Sequence, residues 1–599
     1  MFKCKQLLRR ICVVSYVFLL CGGLVNASNL VSKTNTLIGT QGNGWASGYL
    51  YPGATYPFGM VQFTPTYFTK QLGFVINQLS GAGCDHMGNF PTLPVAGALR
   101  VSPDSILNMQ TPVGKEIGTA GYYAATVDHS IRAELTVTER TGMARYTFSS
   151  KEKQGTVIIG GGVAATPIQV AAIKITGPHS CEGYAEGGAF CGIPTPYKVY
   201  FVAEFDADAE SFGTWKEERL HANHTFAEGS HSGVYFTFPL KEGNQAVQYK
   251  IGVSYVSVEN ARENLRVENP AWDFSAVRQA TQDKWNEYLG KIEVEGDNED
   301  RQMQFYTHLY RSLIHPNVCS DVNGEYMGAD SQVHKTARKF YTSFSNWDTY
   351  RTQTALIAML APEETSDIVM SHYLFAEQSG GGFPRWVLAN IETGVMQGDP
   401  TPILVANAYA FGARTYDPRT LLRTMRYGAE VPGANSQGVL TRPGLEQYLE
   451  KGYYDASILL EYTSSDFAIG RFALQACNDE PVCNWYTQRA MNWKNLFNKE
   501  TGWLQSRNED GSWKRYDADW RESTYKNYFW MVPYDLQGLI DSIGGKEAAE
   551  KRLDEMFRRL DASYGDEWFA SGNEPSFQIP WIYNWAGAPY KAQQVIRRI

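Results

Sequence analysis

The chain has 599 residues, 43% hydrophobic and 20% charged, a balance that fits a folded globular protein and excludes a disordered chain, a collagen and a multi-pass membrane protein. Its 54 basic and 63 acidic side chains leave a formal charge of −9, the wrong sign for a nucleic-acid binder, whose footprint is basic. Aromatic residues make up 13%; flat rings with polar edges suit sugar faces and large cores alike, so composition leaves both open.

In chain order, Lys3, Lys5, Arg9 and Arg10 form a positive head, followed by an apolar run from Ile11 to Leu20 and a small-residue exit at Val25-Asn26-Ala27. This layout predicts a secretory signal peptide over residues 1–27, cleaved after Ala27, because the apolar core is too short to span a bilayer. The protein is therefore expected to be exported: periplasmic, secreted or associated with an outer membrane. Cys21 is a candidate lipid-anchor residue. No later stretch reaches the roughly 20 apolar residues of a transmembrane helix. Six cysteines remain after cleavage: Cys84, Cys181, Cys191, Cys319, Cys477 and Cys483. An exported chain permits disulfides, and Cys181/Cys191 and Cys477/Cys483 are near enough in sequence to staple local loops. They are read as structural cysteines or free thiols, since their spacing is not that of a zinc site.

From about Asn35 to Pro270 the chain is Gly-rich and alternates apolar with polar residues. Arg132 to Ser149, Tyr197 to Ala207, Gly233 to Leu240 and Ala246 to Val258 carry this period of two. Such segments, parted by turn residues and lacking helical crossovers, predict an antiparallel β-sandwich over residues 28–270. Near Trp272 the period changes. Val277, Trp285, Tyr288, Leu289 and Ile292 fall on one helical face, giving a helix over Ser275 to Ile292. Helices are then expected at Asp300–Ile314, Asp348–Leu360, Glu363–Gln378, Pro402–Tyr416, Pro418–Ala429, Ser457–Cys477, Asn484–Phe497, Tyr528–Ile543, Lys546–Leu560 and Ile579–Ile599. Their succession predicts an (α/α)6-type helical barrel over residues 271–599, with long Gly-, Trp- and Asp-rich loops building a pocket.

Those loops carry the candidate chemistry. Cleaving a glycosidic bond needs a carboxylic acid to protonate the leaving oxygen and a carboxylate across the sugar ring. Asp348, Glu392, Asp399, Glu461, Glu522 and Glu574 all stand among aromatic residues of the helical half. Singly, each reads as a surface charge or a helix cap; together they point to a sugar pocket. No GxSxG elbow, phosphate-binding Gly loop with Lys-Ser/Thr, or HExxH occurs, and any metal is expected to be a hard, oxygen-bound cation.

Several blocks, in one order, resemble glycoside hydrolase family 92. Tyr51-Pro-Gly-Ala-Thr-Tyr-Pro-Phe-Gly-Met-Val-Gln62 and Leu79-Ser-Gly-Ala-Gly-Cys84 are similar to its amino-terminal signature. Phe344-Ser-Asn-Trp-Asp-Thr-Tyr-Arg351, Leu460-Glu-Tyr462 with Asp466, Val532-Pro-Tyr-Asp535, Gly572-Asn-Glu-Pro575 and Ile582-Tyr-Asn-Trp-Ala-Gly587 are similar to its catalytic half. The resemblance runs from about residue 35 to the last. It implies a calcium-dependent, inverting exo-α-mannosidase that removes terminal mannose from N-glycans or mannans. By the same resemblance Glu522 is the general acid, Trp347 and Asp348 bind the terminal mannose, and Asn573 and Glu574 line the subsite of the leaving sugar. Ca2+ would contact the mannose hydroxyls; its ligands are not assigned. Trp520, Tyr525, Tyr528 and Trp530 are expected to form an apolar wall that keeps Glu522 protonated. Two departures stand out. Phe577-Gln578 occupy the place of a histidine pair, which bears on linkage preference. The sequence ends at Arg597-Arg598-Ile599 without the Gly-Asn-Asp-Asp segment that carries the family's general base. A barrel incomplete at its C-terminal end is thus expected. The alternative function is an inactive or glycan-binding remnant of such an enzyme.

Overall fold

The computed structural model describes residues 29–40, 49–65, 73–103, 113–242 and 245–599; the expected signal peptide and Cys21 lie outside them. Two antiparallel sheets form the first half. One has eight strands in the order Ala54–Thr55, Gln62–Pro65, Phe74–Val75, Thr92–Ala96, Gln154–Ile159, Ser232–Pro239, Ser211–Lys216 and Arg219–Ala222. The other has nine, and its centre is built from Ser180–Phe190, Ile193–Phe205, Ala246–Ser254, Thr141–Thr147 and Ile131–Val137. The alternation read from sequence is the alternation of burial: along Ile131–Val137, Ile131, Ala133 and Leu135 face inward while Arg132 and Glu134 stay partly exposed. The run from Arg132 to Ser149 proves to be two strands, not one, because the chain turns at Thr138–Arg140 and pairs back, Leu135 opposite Ala144. Phe63, Phe74, Phe90, Tyr146, Phe201, Phe236 and Tyr249 fill the space between the sheets.

One helix, Val258–Glu268, falls in the stretch read as strand-like; it packs on Ile193–Phe205 and Ala246–Ser254 and is capped by Ser257, whose side chain accepts from the Asn260 N–H. Beyond it the chain is mainly helical, with short two- and three-stranded sheets in the connections. Helix Ala456–Cys477 is the most enclosed, most of its 22 residues buried, and packs against Thr401–Phe411, Pro418–Glu430 and Glu480–Ala490. Three predicted helices are broken. Asp348–Leu360 divides into Asn346–Thr349 and Gln353–Leu360, Tyr528–Ile543 into the single turn Tyr525–Tyr528 and the helix Leu536–Ser542, and Ile579–Ile599 into the 3-10 stretch Ile579–Asn584 and the helix Pro589–Arg598. In the second case Pro533 has no N–H to donate and biases Val532 away from helical backbone.

The disulfide differs from both sequence-adjacent pairings. Cys84 is joined to Cys191 across 107 residues, while Cys181, Cys319, Cys477 and Cys483 are buried free thiols. Cys181 points into the sandwich core, and the turn after Phe190 carries Cys191 to the rim where Cys84 arrives. Next to this link Phe190 stacks on Trp386 of the helical half, with ring centroids 4.2 Å apart. Among the described residues no helix is long and apolar enough to cross a membrane.

Candidate active site

Three of the six acidic candidates, from three separate stretches of chain, lie within electrostatic reach of one another: Asp348, Glu522 and Glu574. Asp348 is carried by the turn Asn346–Thr349, directly after strand Phe344–Ser345, which pairs with Trp386–Leu388. Asn346 fixes that turn from beneath: its Nδ2 donates to the Pro384 carbonyl at 3.1 Å and the Thr401 hydroxyl at 2.9 Å. Trp347 is fully buried as a result. Its indole N–H faces Glu461 but falls short of hydrogen-bond geometry.

Burial pushes the Asp348 carboxyl well above the ordinary carboxylate range. Glu574 and, more weakly, Glu522 push it further, against the pull of Arg351 and of the Trp386 indole. Glu574 is raised chiefly by burial, with Arg351 drawing it down. Glu522, half-buried, is raised by desolvation first and by Glu574 second, with Arg521 opposing. Three carboxylates so placed cannot all ionise freely, and a neutral carboxyl among them has a proton to give.

Glu522 sits in a loop without regular structure, and its backbone is left-handed at φ +54°, as is that of Asp519 at +64°. Side chains other than glycine's rarely adopt that region, and such residues concentrate at functional sites. Asn573 is buried at the turn ahead of Glu574–Ser576, and its Nδ2 donates to the Glu522 carbonyl at 2.6 Å. Of the expected aromatic wall, Tyr528 lies beside Glu522. Tyr525 turns to Trp503 and Tyr516, and Trp530 is in the helical core. Tyr564 completes the surroundings, close to Glu522, Glu574 and, from the first half, Tyr49. Phe577 is exposed, and the Gln578 amide donates to the Pro575 carbonyl.

The other three acidic candidates are structural. Glu392 accepts the backbone N–H groups of Arg385, Trp386 and Gly394 at 2.6, 3.2 and 2.9 Å. Asp399 pairs with Arg442 at 2.8 Å. Glu461 pairs with Arg351 at 2.8 Å and accepts the Tyr350 hydroxyl at 3.0 Å. Gly398, at φ +78°, lets its loop lie on this helix: a Cβ there would stand 2.5 Å from that of Glu461. The Arg351 guanidinium, 4.8 Å over the Trp347 ring, is thereby the fixed cation facing Asp348 and Glu574. Among the described residues, no three Asp, Glu, His or Cys side chains gather in a geometry that would hold a metal ion. A calcium ion held here would need backbone or amide carbonyls and water as well as carboxylates.

Residues 34–254 match the glycosyl hydrolase family 92 N-terminal domain, and residues 260–599 match the glycosyl hydrolase family 92 catalytic domain. The chain belongs to glycoside hydrolase family 92. As a family 92 chain it superposes on an α-mannosidase of the family from Bacteroides thetaiotaomicron with a TM-score of 0.86 and 25% identity, over 96% of this chain and 80% of that one. An inverting family 92 mannosidase from the same organism matches with a TM-score of 0.84 and 26% identity, over 95% and 82%. An uncharacterized secreted glycosidase of Arthroderma benhamiae is 25% identical, over 94% of this chain and 77% of its own length.

Sequence reasoning missed Tyr564 and the placement of Trp386. Neither stands in a block that carried the resemblance, and Trp386 acquires its role only through pairing with Phe344–Ser345 and stacking on Phe190.

Proposed function

We propose that this family 92 glycoside hydrolase is an exported, inverting exo-α-mannosidase, acting on terminal mannose of glycans such as N-glycans or mannans. Glu522 gives its proton to the glycosidic oxygen as the bond from that oxygen to the anomeric carbon breaks. A water molecule attacks the opposite face and loses its proton to a base, leaving mannose of inverted configuration. Trp347 and Asp348 hold the terminal mannose, Asp348 by accepting from its hydroxyls. Asn573 and Glu574 flank the leaving sugar. Calcium belongs to the family reading only. The observation that carries the proposal is Glu522 itself: a half-buried carboxyl, pushed up by desolvation and by Glu574, within electrostatic reach of Asp348. A raised proton affinity is the direction a general acid requires.

One observation favours a second reading, a chain that binds the glycan without hydrolysing it. A base that deprotonates water must be ionised, and both carboxylates facing Glu522 are pushed towards the neutral form. Turnover of α-mannobiose decides between them. Release of mannose, with Glu522→Gln slower by about 10²- to 10⁴-fold on mannobiose but near wild type on an aryl mannoside whose leaving group needs no proton, supports the enzyme. Calorimetric binding of mannobiose with no product supports the second reading, and full activity in Glu522→Gln removes the acid assignment.

A further inference from the structure

The resemblance gives Asn573 to the subsite of the leaving sugar, yet its amide nitrogen is engaged elsewhere. Nδ2 donates to the main-chain carbonyl of Glu522 at 2.6 Å, from a side chain on a residue only 4% exposed. Among the described residues no other hydrogen bond reaches the main chain of Glu522. On either side the chain is tied through other groups: the Asp519 carbonyl accepts from the Ser457 N–H at 3.3 Å and its carboxylate pairs with Lys514 at 2.8 Å, the Trp520 indole donates to the Tyr516 carbonyl at 2.7 Å, and regular helix resumes only at Tyr525. A left-handed backbone at φ +54° on a glutamate is costly unless something holds it. Asn573 is itself anchored. Its carbonyl accepts from the Ser576 N–H at 3.1 Å, the Ser576 hydroxyl donates to Asn527 Oδ1 at 3.1 Å, and Asn527 Nδ2 donates to the Trp568 carbonyl at 2.9 Å. The loops bearing Glu522 and Glu574 are thus laced together, with Asn573 as the last link.

We propose that Asn573 is a positioning residue for proton donation: its amide fixes the left-handed main chain of Glu522 and so sets where the carboxyl emerges in the cleft. The proposal rests on Glu522 being the general acid. It requires a donor at position 573. An ionised aspartate of the same shape presents only acceptors to the Glu522 carbonyl, so above its pKa the link is lost without a change of volume, and alanine removes it at every pH.

The test uses aryl α-mannosides with leaving groups of graded pKa, which carry no second sugar and leave its subsite empty. Wild type should show a shallow dependence on leaving-group pKa and Glu522→Gln a steep one. Asn573→Asp and Asn573→Ala should both steepen it, with kcat on the poorest leaving group down about 10- to 100-fold and KM almost unmoved; in Asn573→Ala, which adds no charge beside Glu522, the alkaline limb of the pH–rate profile should move to lower pH. That displacement follows because a carboxyl released from the cleft loses the desolvation and the Glu574 repulsion that raise it. An equal loss across all leaving groups, or a change confined to KM for mannobiose, overturns the proposal. A flat series in Glu522→Gln overturns the acid assignment and the proposal with it. A crystal structure of Asn573→Asp provides a readout independent of turnover: Glu522 leaving the left-handed region supports the positioning role, and Glu522 unmoved refutes it.

Discussion

The two halves of the molecule are held together by different physics. Between the sheets of the sandwich the contacts are apolar and aromatic: Phe90 on Phe201 at 4.3 Å, Phe205 among Phe236, Phe238 and Tyr249 at about 5 Å. Such burial is non-directional and scales with area. The helical half instead buries charge. Arg442 and Asp466 have no exposed side-chain surface, and Asp399 and Arg489 almost none; Arg442 bridges Asp399 and Asp466, while Arg489 and the Tyr448 hydroxyl close on Asp466. Arg351 and Glu461 repeat the arrangement next to the cleft. Buried ion pairs recover their desolvation cost only when the geometry is right, which makes them poor glue and good locators. The sandwich packs; the helical half fixes loops in one place. The acid cluster is the spot where this balance is left uneven, with three carboxylates against one enclosed guanidinium.

This contrast can be broken or sharpened by experiment, beginning with the largest effect. Burial alone would raise Asp466, but Arg489 and Arg442 outweigh it and hold its carboxyl below the ordinary range. A depressed carboxylate lends stability that is present above its unfolded pKa of about 4 and is lost as pH falls through the folded value. Asp466→Ala should therefore cost about 3–5 kcal/mol near pH 7, and less in acid, as read by denaturant melts. Phe201→Ala in the sandwich should cost a similar ~3–5 kcal/mol with no such pH dependence. If both losses follow pH alike, the two halves do not differ in the way described. Cys84→Ser opens a loop of 107 residues and should lower sandwich stability by about 2–4 kcal/mol, with reduction of the wild type giving the same shift. The smallest effect is a gain. Asp348 is raised by burial and by its acidic neighbours, so its contribution is present below the unfolded pKa and lost as pH rises through the folded one. Asp348→Asn should melt higher than wild type at pH 7 and no higher at pH 3, while mannose release falls. A lower melting temperature at pH 7 would mean that Asp348 is not the strained carboxylate described.

Much of the fold was legible because its signals are local. Period-two burial marks Ile131–Val137 and Ser232–Pro239, and a one-sided apolar face marks Phe274–Leu289, where Trp285, Tyr288 and Leu289 are buried. The failures were also local in cause. Val258–Glu268 has an apolar face too narrow to stand out beside the strand before it, and the break before Leu536 falls at Pro533, whose ring and missing N–H stop a helix. Of the six acidic candidates, local composition does not separate Glu461 from Glu522; only the family resemblance singled out Glu522. Both stand beside tyrosines, and only the fold places one against Arg351 and the other beside Glu574 and Asp348.

From its sequence alone this protein had its class: an alternating first half, a helical second half, and blocks of residues characteristic of one family, all properties of neighbours along the chain. What only the tertiary structure decided was partnership. It joined Cys84 to Cys191, withdrew Glu392, Asp399 and Glu461 into hydrogen-bonded and ion-paired support, brought Asp348, Glu522 and Glu574 together, and turned the Asn573 amide onto the Glu522 main chain. A carboxyl's proton affinity is set by what surrounds it in space, through burial and charge at a few ångströms. No pattern along the chain encodes those distances until the halves have packed.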